Sequence, residues 1–181
     1  MYENFSANDV SNLTASEVES LTPQDITEFP VEAMSGATTT FFENLPMNVY
    51  TSFTADHISN LSPEVMGADN IADMLGYLPT AAFAGFTPEH IANIADASVA
   101  QFFVAGLPAS SGAMFTSEDV AAMDPATFGG FSVSHINNMD PEVFGGITVE
   151  HLEVLGPTTM PGYGTDLFTS FTADHISNLS P

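Results

Sequence analysis

Large apolar residues recur every eight positions along this chain. They fall at Phe5, Leu13, Leu21, Phe29, Leu45, Phe53 and Leu61, and again at Leu78, Phe86, Ile94 and Phe102. A third run goes from Leu107 through Phe115, Met123, Phe131, Met139, Ile147, Leu155, Tyr163 and Phe171 to Leu179. With these as octad position one, position six is apolar too, as at Val10, Ile26, Met34, Tyr50, Ile58, Phe128 and Phe144. A spacing of five and three does not match strand alternation, and the prolines would interrupt a ladder. Position two is mostly Ser, Thr or Asp (Ser6, Thr14, Thr22, Thr54, Thr87, Thr116, Ser132), the residues that cap helix N-termini. Position three is often Pro and position four often acidic, as in Pro88-Glu89, which suits a first helical turn. Position eight is often Asn or Gly, which tolerate the left-handed conformation that ends helices. Positions one and six bracket the cap as a hydrophobic staple. Each octad therefore predicts one short capped helical turn.

Isolated helices below roughly twelve residues are marginal, so these turns must stack and share a core. The predicted fold is an all-α solenoid of very short capped helices with an eight-residue repeat. Two octad flavours alternate, Phe115-Thr-Ser-Glu-Asp-Val-Ala-Ala and Met123-Asp-Pro-Ala-Thr-Phe-Gly-Gly. That alternation predicts about two octads per coil, with three as the alternative. One array is expected over residues 1–181, with octads over 5–69, 78–106 and 107–181 and register slips near 69–77 and 102–107. The segments Gly106 to Gly112 and Pro157 to Gly164 depart from the repeat and read as loops or kinks. Thr51 to Pro63 recurs identically as Thr169 to Pro181.

The pattern Thr/Ser-Pro-Glu-x-Ile/Val-x-x-Leu resembles the short-helix octapeptide-type repeat arrays of large secreted or surface proteins, mostly microbial. The resemblance covers nearly the whole chain and implies a surface or matrix role.

Composition sharpens this picture. The chain of 181 residues carries 23 acidic residues and no Lys or Arg. Phosphate backbones and anionic membrane surfaces are bound through Lys and Arg, so nucleic acid and lipid surfaces are excluded as electrostatic partners. No cleavage site for trypsin-like proteases exists. Cysteine is absent, so disulfides and thiolate zinc sites are ruled out. No apolar run is long enough to cross a bilayer, and the first residues lack the features of a signal peptide.

All five histidines, His57, His90, His135, His151 and His175, occupy octad position five, where Asp9, Asp25 and Asp119 stand in related octads. Stacking would align them in a column able to bind a divalent metal; the plainer reading is a solvated helix face. Their protonation below about pH 6 is expected to reduce net repulsion and favour association. Calcium would condense diffusely on the carboxylates, with Asp69, Asn70 and Asp73 as the densest local cluster. Sequons stand at Asn4, Asn12, Asn60 and Asn178, three of them generated by the repeat itself. No nucleophile stands out from the repeat, so no enzyme and no dedicated cofactor is expected.

The expected role is a structural subunit of an extracellular or cell-surface filament, matrix or stalk. It would associate with itself end-to-end or side-by-side, since Phe5 opens directly in register without a distinct capping repeat. The alternative is a solenoid binding module for a cationic peptide or a glycan.

Overall fold

The computed structural model describes residues 2–154 and 171–179, the Leu75 side chain excepted. Leu155, Tyr163 and the 157–164 segment lie outside the described residues. Every described element is helical, and no strand occurs among the described residues.

Where the octad pattern predicts one array, the chain divides into two compact units, Met1–Ala95 and Asp96–Pro181. The first unit runs α1 (Ala7–Ser11), α2 (Ala15–Glu19), α3 (Pro23–Glu28), η1 (Val31–Gly36), α4 (Thr39–Asn44), η2 (Met47–Ser52), α5 (Ala55–Ser59), η3 (Pro63–Gly67), α6 (Ile71–Tyr77), η4 (Thr80–Gly85) and α7 (Pro88–Ala92), the η elements being 3-10 helices. The second runs α8 (Ala97–Gly106), η5 (Ala109–Met114), α9 (Ser117–Ala122), α10 (Pro125–Phe128), α11 (Val133–Ile136), η6 (Pro141–Gly146), α12 (Val149–Val154) and α13 (Ala173–Asn178). The boundary falls beside the second register slip. That slip is taken up inside α8, whose ten residues outrun an octad. The segment from Gly106 to Gly112 is no loop: it closes α8 and opens η5.

Capping chemistry accompanies the kind of helix in most octads, although η6 follows the Asp140 cap, and η3 and α6 follow Ser62 and Asn70, which make no cap bond. Ser6, Thr14, Thr22, Thr54, Thr87, Thr116, Ser132 and Thr172 each accept the backbone N–H three residues on, and an α-helix follows. η1, η2, η4 and η5 begin after Pro30, Pro46, Pro79 and Pro108, which offer no side-chain acceptor. Their turns tighten to the i→i+3 pattern, which needs fewer capped donors.

Elements pack in rows. In the first unit these are α1–η1–α5–η4, α2–α4–η3–α7 and α3–η2–α6. Ala7, Val31 and Ala55 open the first three members of one row, 24 residues apart. The second unit repeats the scheme with α8–α10–α12, η5–α11 and α9–η6–α13. Three octads, not the expected two, thus separate neighbours in a row. Staple residues fill the core: Ile26, Met34, Tyr50, Ile58, Met66, Phe128, Ile136 and Phe144 are fully buried at position six, against Phe29, Leu45, Phe53, Leu61 and Phe131 at position one.

Position eight works differently from the sequence expectation. Gly36, Gly85, Gly130 and Gly146 have no left-handed φ, and the Asn C-caps at Asn12, Asn60 and Asn93 are right-handed. Asn instead closes the turn with its amide: Asn60 Nδ2 donates to Asp56 O at 2.9 Å and Asn138 Nδ2 to Ser134 O at 2.8 Å. Gly is there for proximity. A Cβ on Gly36, Gly85, Gly130 or Gly146 would collide with the backbone carbonyl of Ala7, Ala55, Gln101 or Ser117 in the neighbouring row member.

Gly85→Ala is therefore expected to push η4 off α5 and destabilise the protein by about 1–3 kcal/mol, the range for overpacking. Gly67 has open space around its Cβ direction, and Gly67→Ala should be neutral or slightly stabilising. Paired urea melts check the contrast; equal effects would contradict it.

Candidate functional site: the buried histidine caps

Octad position five is the third residue of each helix, N3. In a capping box the N3 side chain reaches back to the N-cap backbone N–H while the cap hydroxyl receives the N3 N–H. Asp9, Glu17, Asp25 and Asp119 do this with carboxylates: Asp9 Oδ2 accepts the Ser6 N–H at 2.8 Å, and Asp119 Oδ2 the Thr116 N–H at 2.8 Å. His57, His90, His135, His151 and His175 do it with Nδ1, which accepts the backbone N–H of Thr54, Thr87, Ser132, Thr148 and Thr172 at 3.0–3.2 Å.

A backbone N–H can only donate, so each Nδ1 is an unprotonated acceptor. Each neutral ring then carries its proton on Nε2. That proton has a partner. Nε2 of His90 donates to Leu61 O at 3.1 Å, His135 to Leu107 O at 2.9 Å and His151 to Met123 O at 2.9 Å. His57 bonds the backbone of Phe29 in the same way. Every one of these acceptors is a position-one residue lying just before the row neighbour, 28 or 29 residues back. Such a carbonyl stands outside the helix that follows it and is buried when rows pack. Left unpaired it would cost free energy comparable to a lost hydrogen bond.

The histidines are thus neither solvated nor collected in a metal column. All five are buried, both nitrogens of His90, His135 and His151 are used, and the described residues contain no group of three His, Cys, Asp or Glu able to hold a metal ion. Asp9 is exposed, and Asp25 and Asp119 are half-buried. The signal for this was in the sequence. The capping-box offset places position five at N3, and the carboxylates lie in the first octads of each unit, before a row neighbour exists for a ring to reach.

At the first register slip a different donor keeps the stride. Asn70, the N-cap of α6, makes no cap bond; its Nδ2 donates to Phe42 O at 2.9 Å, 28 residues back, beside Tyr50 Oη, which donates to the same oxygen at 2.9 Å. Burial, with some help from Asp73, pushes the Tyr50 phenol up to about 12, so it remains a donor throughout the physiological range. Asp69 and Asp73 point to solvent, and the cluster expected there does not converge. Among the sequons, Asn12, Asn60 and Asn178 spend their amides on carbonyls four residues back, while Asn4 lies exposed in the opening turn.

Burial pushes the His57 and His90 imidazoles below their ordinary value of 6.5; the bonds to Phe29 and Leu61 and the nearby Asp56 and Glu89 carboxylates act the other way but do not win. Comparison with known proteins returned no matching family model, no matching curated protein and no matching solved structure.

Two outcomes follow. With the folded value depressed, the unfolded chain takes up protons first as pH falls, so the stability from His57 and His90 is whole above pH 6.5 and is lost below it. Thermal melts should be flat from pH 8 to 7 and fall below pH 6.5; a midpoint constant down to pH 5 would contradict this. His135→Ala strands the Leu107 carbonyl and removes a cap, and should cost about 2–4 kcal/mol in a urea melt. A loss below about 0.5 kcal/mol, the level of an ordinary surface change, would contradict the role.

Proposed function

We propose that this chain is a non-catalytic structural scaffold. It is a three-octad solenoid serving as a segment of an extracellular or cell-surface filament, matrix or stalk. One observation carries the reading: the residues best suited to chemistry, the five histidines, are all buried in helix caps, and His90, His135 and His151 also tie their helix to a row neighbour. A side chain so engaged has no lone pair or proton left for a substrate. The surface supports the same role, since 23 carboxylates with no Lys or Arg give a solubilising, trypsin-resistant exterior. Lateral self-association then needs cations to bridge like-charged faces, with divalent ions such as calcium the natural choice. No described helix is long and apolar enough to cross a membrane.

A second reading has one observation in its favour. An open groove of about 480 Å³ on the first unit is lined by small and polar side chains, among them Asn8, Ser11, Thr38, Ser62 and Glu64. It suits a binding module for a cationic peptide or a glycan.

Electron microscopy of the purified chain with calcium and with a chelator separates the two. The scaffold reading expects ordered filaments or bundles in calcium that disperse on chelation. Isolated particles in both conditions would contradict it and favour the binding module.

A further inference from the structure

One octad of the first run breaks its own rule, and the structure places it in a groove. Position one is Phe or Leu in every octad from Phe5 to Leu61 except at Ala37. The Ala37 methyl is buried. It belongs to the lining of the open groove of about 480 Å³ in the first unit, whose walls come from α1, η1, the start of α4 and η3. The Leu or Phe usual at this position would add bulk to that lining. A space of this size is within the ordinary range for a small-molecule site, roughly 300–1,000 Å³.

The chemistry of the lining is one-sided. Ser11 Oγ donates to Asn8 O at 3.0 Å, and Ser35 Oγ donates to Glu32 O at 2.8 Å. Both hydroxyls spend their proton inside their own helix and keep only lone pairs for a ligand. Glu64, exposed in the first turn of η3, brings a carboxylate. Ser62 makes no cap bond and the Asn8 side chain is exposed, so each can turn an oxygen to the same space. The chain has no Lys or Arg to answer these acceptors. The complement must arrive with a ligand.

That complement is a group with several donors, positive charge and no acceptor. A primary ammonium fits: it is a compact charge carrying three N–H donors. A net charge of −23 raises its local concentration and repels anions. A sugar ring fits less well, because its apolar face stacks on aromatic side chains and none lines the groove among the described residues.

We propose that the groove between α1, η1 and η3 binds a primary alkylammonium group, with Glu64 as its counter-charge and the Ser11 and Ser35 hydroxyls as acceptors. This deepens the second reading of the groove and rests on it, while the scaffold reading is independent of it. The ammonium belongs to a free polyamine or to a lysine side chain of a peptide.

Backbone amide NMR of the full chain tests the site, in salt of about 0.15 M, where the Debye length is only about 8 Å and the diffuse field is screened. The probes are 1,5-diaminopentane, a blocked glycine–lysine–glycine peptide and the neutral tetrasaccharide cellotetraose. Both amines are expected to shift the signals of Asn8, Ser35, Ser62 and Glu64, and the tighter of the two identifies the source. Glu64→Gln should weaken binding roughly threefold, the scale of an exposed ion pair. Ala37→Leu, which restores the residue of the repeat, should abolish it, and the exposed Glu89→Gln on α7 should leave it unchanged. Glu64→Gln decides the matter if Ala37→Leu does not fold. Shifts spread over all the acidic residues and indifferent to Glu64→Gln would overturn the proposal. Cellotetraose shifting the groove signals where the amines do not would overturn it too, while leaving the groove a binding site. If none of the three probes moves those signals, the proposal and the second reading fall together.

Discussion

Helices of four to ten residues consist almost entirely of ends, and that constraint governs this molecule. An α-helix leaves four N–H groups at its start and four C=O groups at its finish without partners inside it, so a five-residue helix such as α1 or α5 has hardly any interior. Stacking such helices buries their ends. The fold is viable only if side chains and neighbouring turns satisfy those groups in every octad. The N-cap hydroxyl, the N3 side chain and the position-eight amide do this within an octad, and histidine Nε2 does it between row neighbours.

A chain without Lys or Arg has few donors for a buried carbonyl 28 residues away. Imidazole, amide and hydroxyl remain, and all three are used over that distance, by His90 on Leu61, Asn70 on Phe42 and Thr127 on Ala97. Imidazole suits the task best at N3. It is acceptor and donor at once when neutral, which no carboxylate is, and it is uncharged when buried. The exposed carboxylate caps behave differently. The Ser6 and Thr14 hydroxyls and backbone N–H groups hold Asp9 and Glu17 below the usual carboxylate range. The caps at His57 and His90 weaken before these carboxylate caps as pH falls.

Much of this was legible in the sequence. The Ser/Thr caps and the buried apolar positions around them come from local rules, and local rules operate within eight residues. The all-helical class followed from them. The number of octads between packed neighbours did not, because it depends on how elements pack, and alternation of Thr116-type and Asp124-type octads is compatible with two or three. Position eight was misread for a related reason. Gly85 and Gly146 have ordinary backbone angles and owe their identity to a carbonyl about thirty residues away. Position five was misread because a histidine between polar neighbours resembles a solvated face, although its offset from Thr54, Thr87 or Ser132 is that of a capping box with imidazole in place of carboxylate.

The account stands or falls on the protonation of those rings. Nitrogen-15 chemical shifts of the histidines at pH 8 report the tautomer of each imidazole directly. Five rings in the Nε2–H form, with Nδ1 unprotonated, are what the cap and the tie together require. Rings in the Nδ1–H form, or shifts averaged as in free histidine, would mean that the N-cap N–H groups and the position-one carbonyls are satisfied in some other way.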